Sequence, residues 1–153
     1  MEFKNKVQIK NRKARFEYEI LDKYIAGIVL VGTEIKAIRL GKASIAESFC
    51  EFKNGELWVV NMTVQEYSHA TYYNHKPKQE RKLLLNKNEL KKLEKESVNS
   101  GNTIVPLLLF IDKNGRAKLQ IALAKGKKLH DKRETIKDRD NKRRLDQIKK
   151  MYK

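Results

Sequence analysis

The chain is poor in residues that staple, break or span. Of its 153 residues only one is cysteine, two are proline and seven are glycine. The lone Cys50 excludes an intramolecular disulfide and suits a reducing, cytoplasmic setting. The longest apolar runs, Ala26–Val31 and Ile104–Ile111, fall far short of the about 20 residues a membrane helix needs. Met1–Arg15 is charged throughout, so no secretory leader is expected. The three histidines, His69, His75 and His130, match no metal-ligand spacing, and exposed loop histidines are a plainer expectation than a site shared with Cys50. No Gly-rich phosphate loop, nucleophile elbow or paired-carboxylate pattern is present. The expectation is therefore no catalytic residue, no metal and no cofactor.

Positive charge is what the chain has in excess. It carries 35 Lys/Arg against 19 Asp/Glu, a net +16. Half of that sits in residues 125–153, where 13 Lys/Arg oppose 5 Asp/Glu. So charged a segment cannot bury enough apolar surface to offset its ordering entropy, and alone it is expected to be disordered or partly helical. A polyanion would change that balance. Asp131 and Glu134 form a capping pattern, Leu145, Ile148 and Tyr152 share a narrow helical stripe, and the opposite face is basic. The pattern points to a tail that folds on RNA or DNA.

By length the chain is one domain, with about 120 residues left for the folded part. Residues 1–15 read as a basic arm. Alternation over Phe16–Ile20 predicts a half-buried strand, and the apolar run Gly27–Val31 a fully buried one. Thr33 is placed to cap a short helix that buries Ile35, Ala37 and Ile38 and ends at Gly41. Asn54-Gly55 and Asn114-Gly115 predict hairpins joining 48–53 to 56–60 and 104–112 to 116–124. Pro106, without a backbone donor, suggests a sheet edge or strand start. Residues 65–82 look like surface. Asn86 and Glu89 resemble a capping box opening a helix that buries Leu90 and Leu93 and closes at Gly101. Five or more short strands with one or two helices suggest an OB-type closed β-barrel, with a sandwich or open sheet as alternatives.

Basic residues cluster at Lys10/Arg12/Lys13/Arg15, Lys36/Arg39/Lys42, Lys76/Lys78/Arg81/Lys82 and from Lys125 onward. Four clusters in so basic a chain indicate phosphate binding. Tyr18, Tyr67, Tyr72 and Tyr73 are interleaved aromatics that can stack on unpaired bases, although Tyr18 reads equally well as a core-edge residue.

The strings NRKARFEY (11–18), AGIVLVGTEIKAIRLGKASI (26–45), NHKPKQERKLLL (74–85) and AKGKKLHDKRETIKDRD (124–140) resemble the SmpB family, the SsrA-binding proteins that partner transfer-messenger RNA in rescuing stalled bacterial ribosomes. The resemblance implies an OB-fold barrel over 11–124 after an N-terminal arm (1–10), and a basic tail (125–153) that becomes helical on the ribosome. It implies a non-enzymatic cytoplasmic monomer. The barrel would grip the tRNA-like domain of transfer-messenger RNA, and the tail would enter the vacant messenger channel of the small ribosomal subunit. Elongation factor Tu would be a partner through the RNA complex.

By position, Asn11, Tyr18, Lys125, Gly126, Lys127 and Lys128 match motifs tied to RNA binding. Arg12 and Lys13 stand beside the first of them, and Lys36, Arg39, Arg81 and Lys82 fall in shared motifs as phosphate contacts. His130, Asp131, Lys132, Arg133, Ile136, Lys137 and Arg139 match the ribosome-engaging stretch, with Ile148 as a distal apolar contact. The sequence departs from the family at Ile25, where an acidic residue is usual, and at Lys76, Gln79 and Glu80. A general RNA chaperone or ribosome-associated OB-fold protein is the alternative reading. A small nuclease, which would need His75 or His130, is the weakest.

Overall fold

The computed structural model describes residues 7–70 and 73–127. They are mainly β with three helices. The elements run β1 (Gln8–Lys10), α1 (Arg12–Glu17), β2 (Tyr18–Ile28), α2 (Gly32–Arg39), β3 (Ala43–Ser44), β4 (Phe49–Lys53), β5 (Glu56–Val60), β6 (Thr63–Val64), β7 (Arg81–Leu84), α3 (Lys87–Ser97), β8 (Asn102–Ile111) and β9 (Ala117–Gly126).

Seven strands form one antiparallel sheet in the order β1-β8-β4-β5-β7-β2-β9, and β9 also pairs with β8. β3 and β6 make a separate two-stranded ribbon. The long strands β2, β8 and β9 carry the architecture. Along β9, Leu119, Ile121 and Leu123 enter the main core with Leu57, Val59 and Leu109, as the two-residue period of a strand dictates. The alternate residues Ala122 and Ala124 face a smaller cluster with Val105, Leu107 and Ala14 of α1. Their short side chains let α1 lie close on the sheet.

Local turn chemistry works as the sequence suggests at β4–β5. Asn54 (φ 53°) and Gly55 (φ 77°) both take the left-handed region, the signature of a type I′ hairpin. At β8–β9 only Gly115 does (φ 79°), in a longer loop where Asp112 Oδ1 accepts from the N–H groups of Asn114 and Arg116, each at 2.9 Å. Asn86 caps α3 by accepting from Glu89 N–H at 2.8 Å, and Leu93 is buried beneath it.

Five expectations are corrected. The basic arm does not run straight into a strand, because Asn11 caps α1 over Arg12–Glu17 and extended backbone begins only at Tyr18. The run Gly27–Val31 is not a buried strand: β2 ends at Ile28, and Val29 and Val31 are exposed. Thr33 is not the cap of α2. Glu34 instead reaches back to accept from Val31 N–H at 3.1 Å, and the Thr33 hydroxyl faces His75. Pro106 lies inside β8 rather than at an edge, at a register shift between Pro106 and Leu108 where the ladder is irregular and a missing donor breaks no regular rung. The surface-like stretch 65–82 contains His75 and Arg81, two of the most deeply buried polar side chains described.

Candidate nucleic-acid interface

The β2–β9 ladder brings two sets of basic residues to its opposite ends. At one end Tyr18 pairs with Gly126 and Glu19 with Lys125, while Lys127 N–H donates to Glu17 O at 3.0 Å. This closes α1, with its exposed Arg12 and Lys13, against the last residues of β9. Tyr18 is half-buried beside a cavity of about 120 Å³ that Asn11, Lys13 and Phe49 also line. At the other end Gly27 pairs with Lys118 on β9 and with Leu84 on β7. At about 3.3 Å of rise per residue the two ends stand roughly 25–30 Å apart along the strand.

The second end holds a groove of about 380 Å³. Ile28, Leu30, Ile35 and Leu84 give it an apolar floor, and Arg39, Arg116 and Lys118 a cationic rim. Arg39 extends from the last turn of α2 and donates to Gly115 O at 3.0 Å, tying the helix to the β8–β9 hairpin. Ile25, 50% exposed, sits on β2 two residues before Gly27, outside the groove lining. Apolar surface bordered by cations suits a nucleic acid, whose bases are flat and whose phosphates surround them.

Not every expected contact points outward. Asn11 is buried and its polar atoms are used: Nδ2 donates to Pro106 O (2.9 Å) and Ile45 O (3.2 Å), and Oδ1 accepts from Ala14 N–H (3.2 Å). These bonds position α1 on the sheet. Arg81, expected as a phosphate contact, is turned fully inward. Its Nε donates to Glu34, Nη1 to Met62 O (2.8 Å) and Gln79 O (3.0 Å), and Nη2 to Pro77 O (3.1 Å) and Lys76 O (3.5 Å). The buried Glu34 carboxylate and the run of carbonyls offer what a guanidinium needs, which draws it off the surface.

Lys13 is paired with Glu47 at 3.0 Å, a hydrogen bond that raises its pKa and holds its proton. Lys82 is half-buried on β7 and paired with Glu56 at 3.1 Å. Lys36 is exposed on α2, its ammonium 5.5 Å from the centroid of the Tyr67 ring. Lys128 and the tail residues His130, Asp131, Lys132, Arg133, Ile136, Lys137, Arg139 and Ile148 lie outside the described residues, as does the expected helical stripe of the tail.

Sequence reasoning missed Arg116 and Lys118. Both follow the Asn114-Gly115 turn, and with Lys113 they are spaced as closely as Lys36, Arg39 and Lys42, but the turn signal marks them only as hairpin residues. His75 was misread as exposed. Its Nε2 bonds to Val64 O at 2.9 Å, and because a carbonyl can only accept, that nitrogen carries the proton. Nδ1 meets the Thr33 hydroxyl at 2.9 Å. Cys50 is buried and burial pushes its thiol well above the usual range, which disfavours the thiolate a metal would need. Among the described residues no group of three or more His, Cys, Asp or Glu is arranged to hold a metal ion, and no helix is long and apolar enough to cross a membrane.

Known proteins resemble this chain over most of its length. The SmpB protein family pattern matches residues 8–151. The chain is 71% identical over 150 residues to the SsrA-binding protein of Christiangramia forsetii, covering 98% of this chain and 96% of that one. It is 66% identical over 146 residues to the SsrA-binding protein of Flavobacterium psychrophilum, covering 95% and 97%. A solved structure described as "tmRNA-SmpB: a journey to the center of the bacterial ribosome" superposes with a TM-score of 0.68 at 43% identity, over 80% of this chain and 86% of that one.

Proposed function

The chain belongs to the SmpB family, and on that premise we propose that it binds the tRNA-like domain of transfer-messenger RNA and delivers it to stalled ribosomes for trans-translation. The observation that carries the reading is the placement of two basic surfaces at opposite ends of the β2–β9 ladder, one of them an apolar groove with a cationic rim. A spacing of roughly 25–30 Å suits a folded RNA that meets the protein at more than one backbone segment. The SsrA-binding relatives and the transfer-messenger RNA–SmpB structure supply the identity of that RNA.

The run of pairings through β8, β4, β5, β7, β2 and β9, with β9 returning to β8, supports reading the sheet as a closed OB-type barrel over 11–124. Gln8–Lys10 of the N-terminal arm add a strand to it. We assign the grip to Arg12, Lys13, Tyr18, Lys125, Gly126 and Lys127 at one end, with Lys128 next to them in sequence, and to Lys36, Arg39, Arg116 and Lys118 at the other, with Lys82 on β7 as a further phosphate contact. The role is binding and placement, with no chemical step. The tail that follows β9 would enter the vacant messenger channel and become helical, His130–Arg139 engaging the decoding region and Ile148 lying beyond. A cytoplasmic monomer delivered with elongation factor Tu completes the reading.

RNA recovered with the chain from a bacterial lysate tests it. Transfer-messenger RNA should be enriched far above its share of total RNA, and a population that mirrors cellular RNA would contradict the reading. Deleting Lys132–Lys153 should leave RNA binding largely intact and abolish peptide tagging on stalled ribosomes. Normal tagging by the truncated chain would refute the tail's role.

A further inference from the structure

Residues 65–80 form a long connection between β6 and β7 with no strand or helix among its described residues, a type of segment that is usually functional when it is ordered. Its order is built from inside. Arg81 donates to three of its carbonyls, those of Lys76, Pro77 and Gln79, and His75 bonds to Val64 O and Thr33. Asn74 clamps the backbone of Tyr67 from both sides, accepting from its N–H at 3.1 Å and donating to its carbonyl at 2.9 Å. Gln65 N–H donates to Lys42 O at 3.0 Å, fixing the loop to the end of α2.

What this framework holds is an aromatic–cation cluster. The Tyr67 ring lies 5.5 Å from the His69 ring at 69°, and Lys36 Nζ stands 5.5 Å from the Tyr67 centroid. His69 is exposed and Tyr67 half-buried, with exposed Lys42, Lys76 and Lys78 on the same loop or the adjoining end of α2 and Glu66 as an opposing charge. Ile35 and Arg39 of α2 line the groove, and at 100° per residue Lys36 occupies the next face of the helix. The cluster therefore continues the groove across α2.

We propose that Tyr67, His69 and Lys36 form a stacking site for an unpaired RNA base, with Lys36 contacting the phosphate of the same nucleotide. The site rests on the RNA-binding reading above and adds to it a contact outside the groove. The Lys36 ammonium stands over the Tyr67 ring, which marks an electron-rich face; a base stacks there as the flexible lysine stem swings the ammonium aside to the phosphate. The prebuilt backbone lowers the ordering cost of capture.

The test uses the full chain and a short single-stranded oligouridine carrying 2-aminopurine, whose fluorescence falls on stacking. The tail is common to every variant, so differences between variants report the loop. Tyr67→Ala should weaken binding about tenfold and remove most of the quench, within the usual range for loss of one stacked base. It keeps the Asn74 clamp, which holds only backbone atoms of residue 67. Tyr67→Phe should bind and quench within about twofold of the parent, and Lys36→Met should lower the salt slope by about 0.7, one phosphate contact on a single strand. Thermal melts confirm that each variant is folded. Tyr67→Ala equal to the parent, the result a protein-docking loop would give, overturns the proposal, and so does Tyr67→Phe falling as far as Tyr67→Ala. If capture of transfer-messenger RNA survives while Tyr67→Ala has no effect on the oligonucleotide, only this inference fails and the family function stands.

Discussion

Arg81 and Glu34 form an ion pair inside the protein, each side chain 1% exposed, across 47 residues of sequence. The pair joins β7 to α2, and the rest of the guanidinium holds Met62 O and the Lys76, Pro77 and Gln79 carbonyls of the 65–80 loop. Removing one partner leaves a buried charge uncompensated. Glu34→Gln should therefore destabilise the fold by about 3–5 kcal/mol, read as a lower urea midpoint at unchanged slope. A loss under about 0.5 kcal/mol would mean the charge is not isolated from water as the geometry requires.

Asn11 should behave as a structural residue. Asn11→Ala removes the cap of α1 and leaves the Ile45 and Pro106 carbonyls without their donor. The expected cost is about 2–4 kcal/mol, a cap plus at least one unsatisfied buried group. RNA affinity of the folded variant, measured well below its melting temperature, should change less than about threefold. A folded Asn11→Ala that loses RNA binding outright would restore Asn11 as a direct contact.

Asp22 and Tyr24 predict opposite effects at the two ends of the pH scale. The Tyr24 hydroxyl donates to Asp22 Oδ2 at 3.0 Å and is the main cause holding the Asp22 carboxyl below its ordinary value, with Lys23 N–H and Lys92 adding to it. A depressed carboxylate stabilises the fold above its unfolded pKa of 3.8, and that contribution is lost as pH falls through the folded value. Burial, and then Asp22, push Tyr24 up to about 12. Its contribution is present below 10.0, the ordinary tyrosine value, and lost as pH rises from there towards about 12. Tyr24→Phe should raise the Asp22 midpoint in an NMR titration. Asp22→Asn should lower the tyrosinate midpoint of Tyr24 only part of the way, since burial remains. An Asp22 midpoint unmoved by Tyr24→Phe would contradict the assigned cause.

The groove rim predicts a salt signature. Arg116→Ala and Lys118→Ala should each weaken transfer-messenger RNA binding, and each should reduce the slope of log affinity against log salt by about one. Lys113→Ala, exposed in the β8–β9 loop and outside the groove lining, is the comparison. Equal slopes for all three would mean that the rim does not meet phosphate.

What the sequence made legible was local. The Asn54-Gly55 turn and the Asn86 cap each depend on residues within four positions, so their chemistry can be read from the string itself. The Asn11 cap of α1 was equally local, yet alternation over Phe16–Ile20 masked it, because a six-residue helix followed at once by a strand has no period of its own. Arg81, Glu34 and His75 were illegible for a different reason. Beside their local contacts, the partners that draw them inward lie 11 to 47 residues away, and a charged side chain in a polar stretch gives no sign that a distant element will bury it. The groove was half legible: Arg39 belonged to a visible cluster, whereas Arg116 and Lys118 joined it only when β9 folded back beside β2. The resemblance identified the family without resolving which of its motif residues face inward.

Competition binding tests the central claim most directly. Full-length protein is held at a fixed concentration with labelled transfer-messenger RNA near half-saturation, and unrelated tRNA is added in large excess at physiological salt. A protein that recognises the tRNA-like domain through two spaced surfaces keeps most of its labelled RNA. A protein that binds by charge alone, as a general RNA chaperone would, releases it in proportion to the phosphate added, and that result would contradict the account.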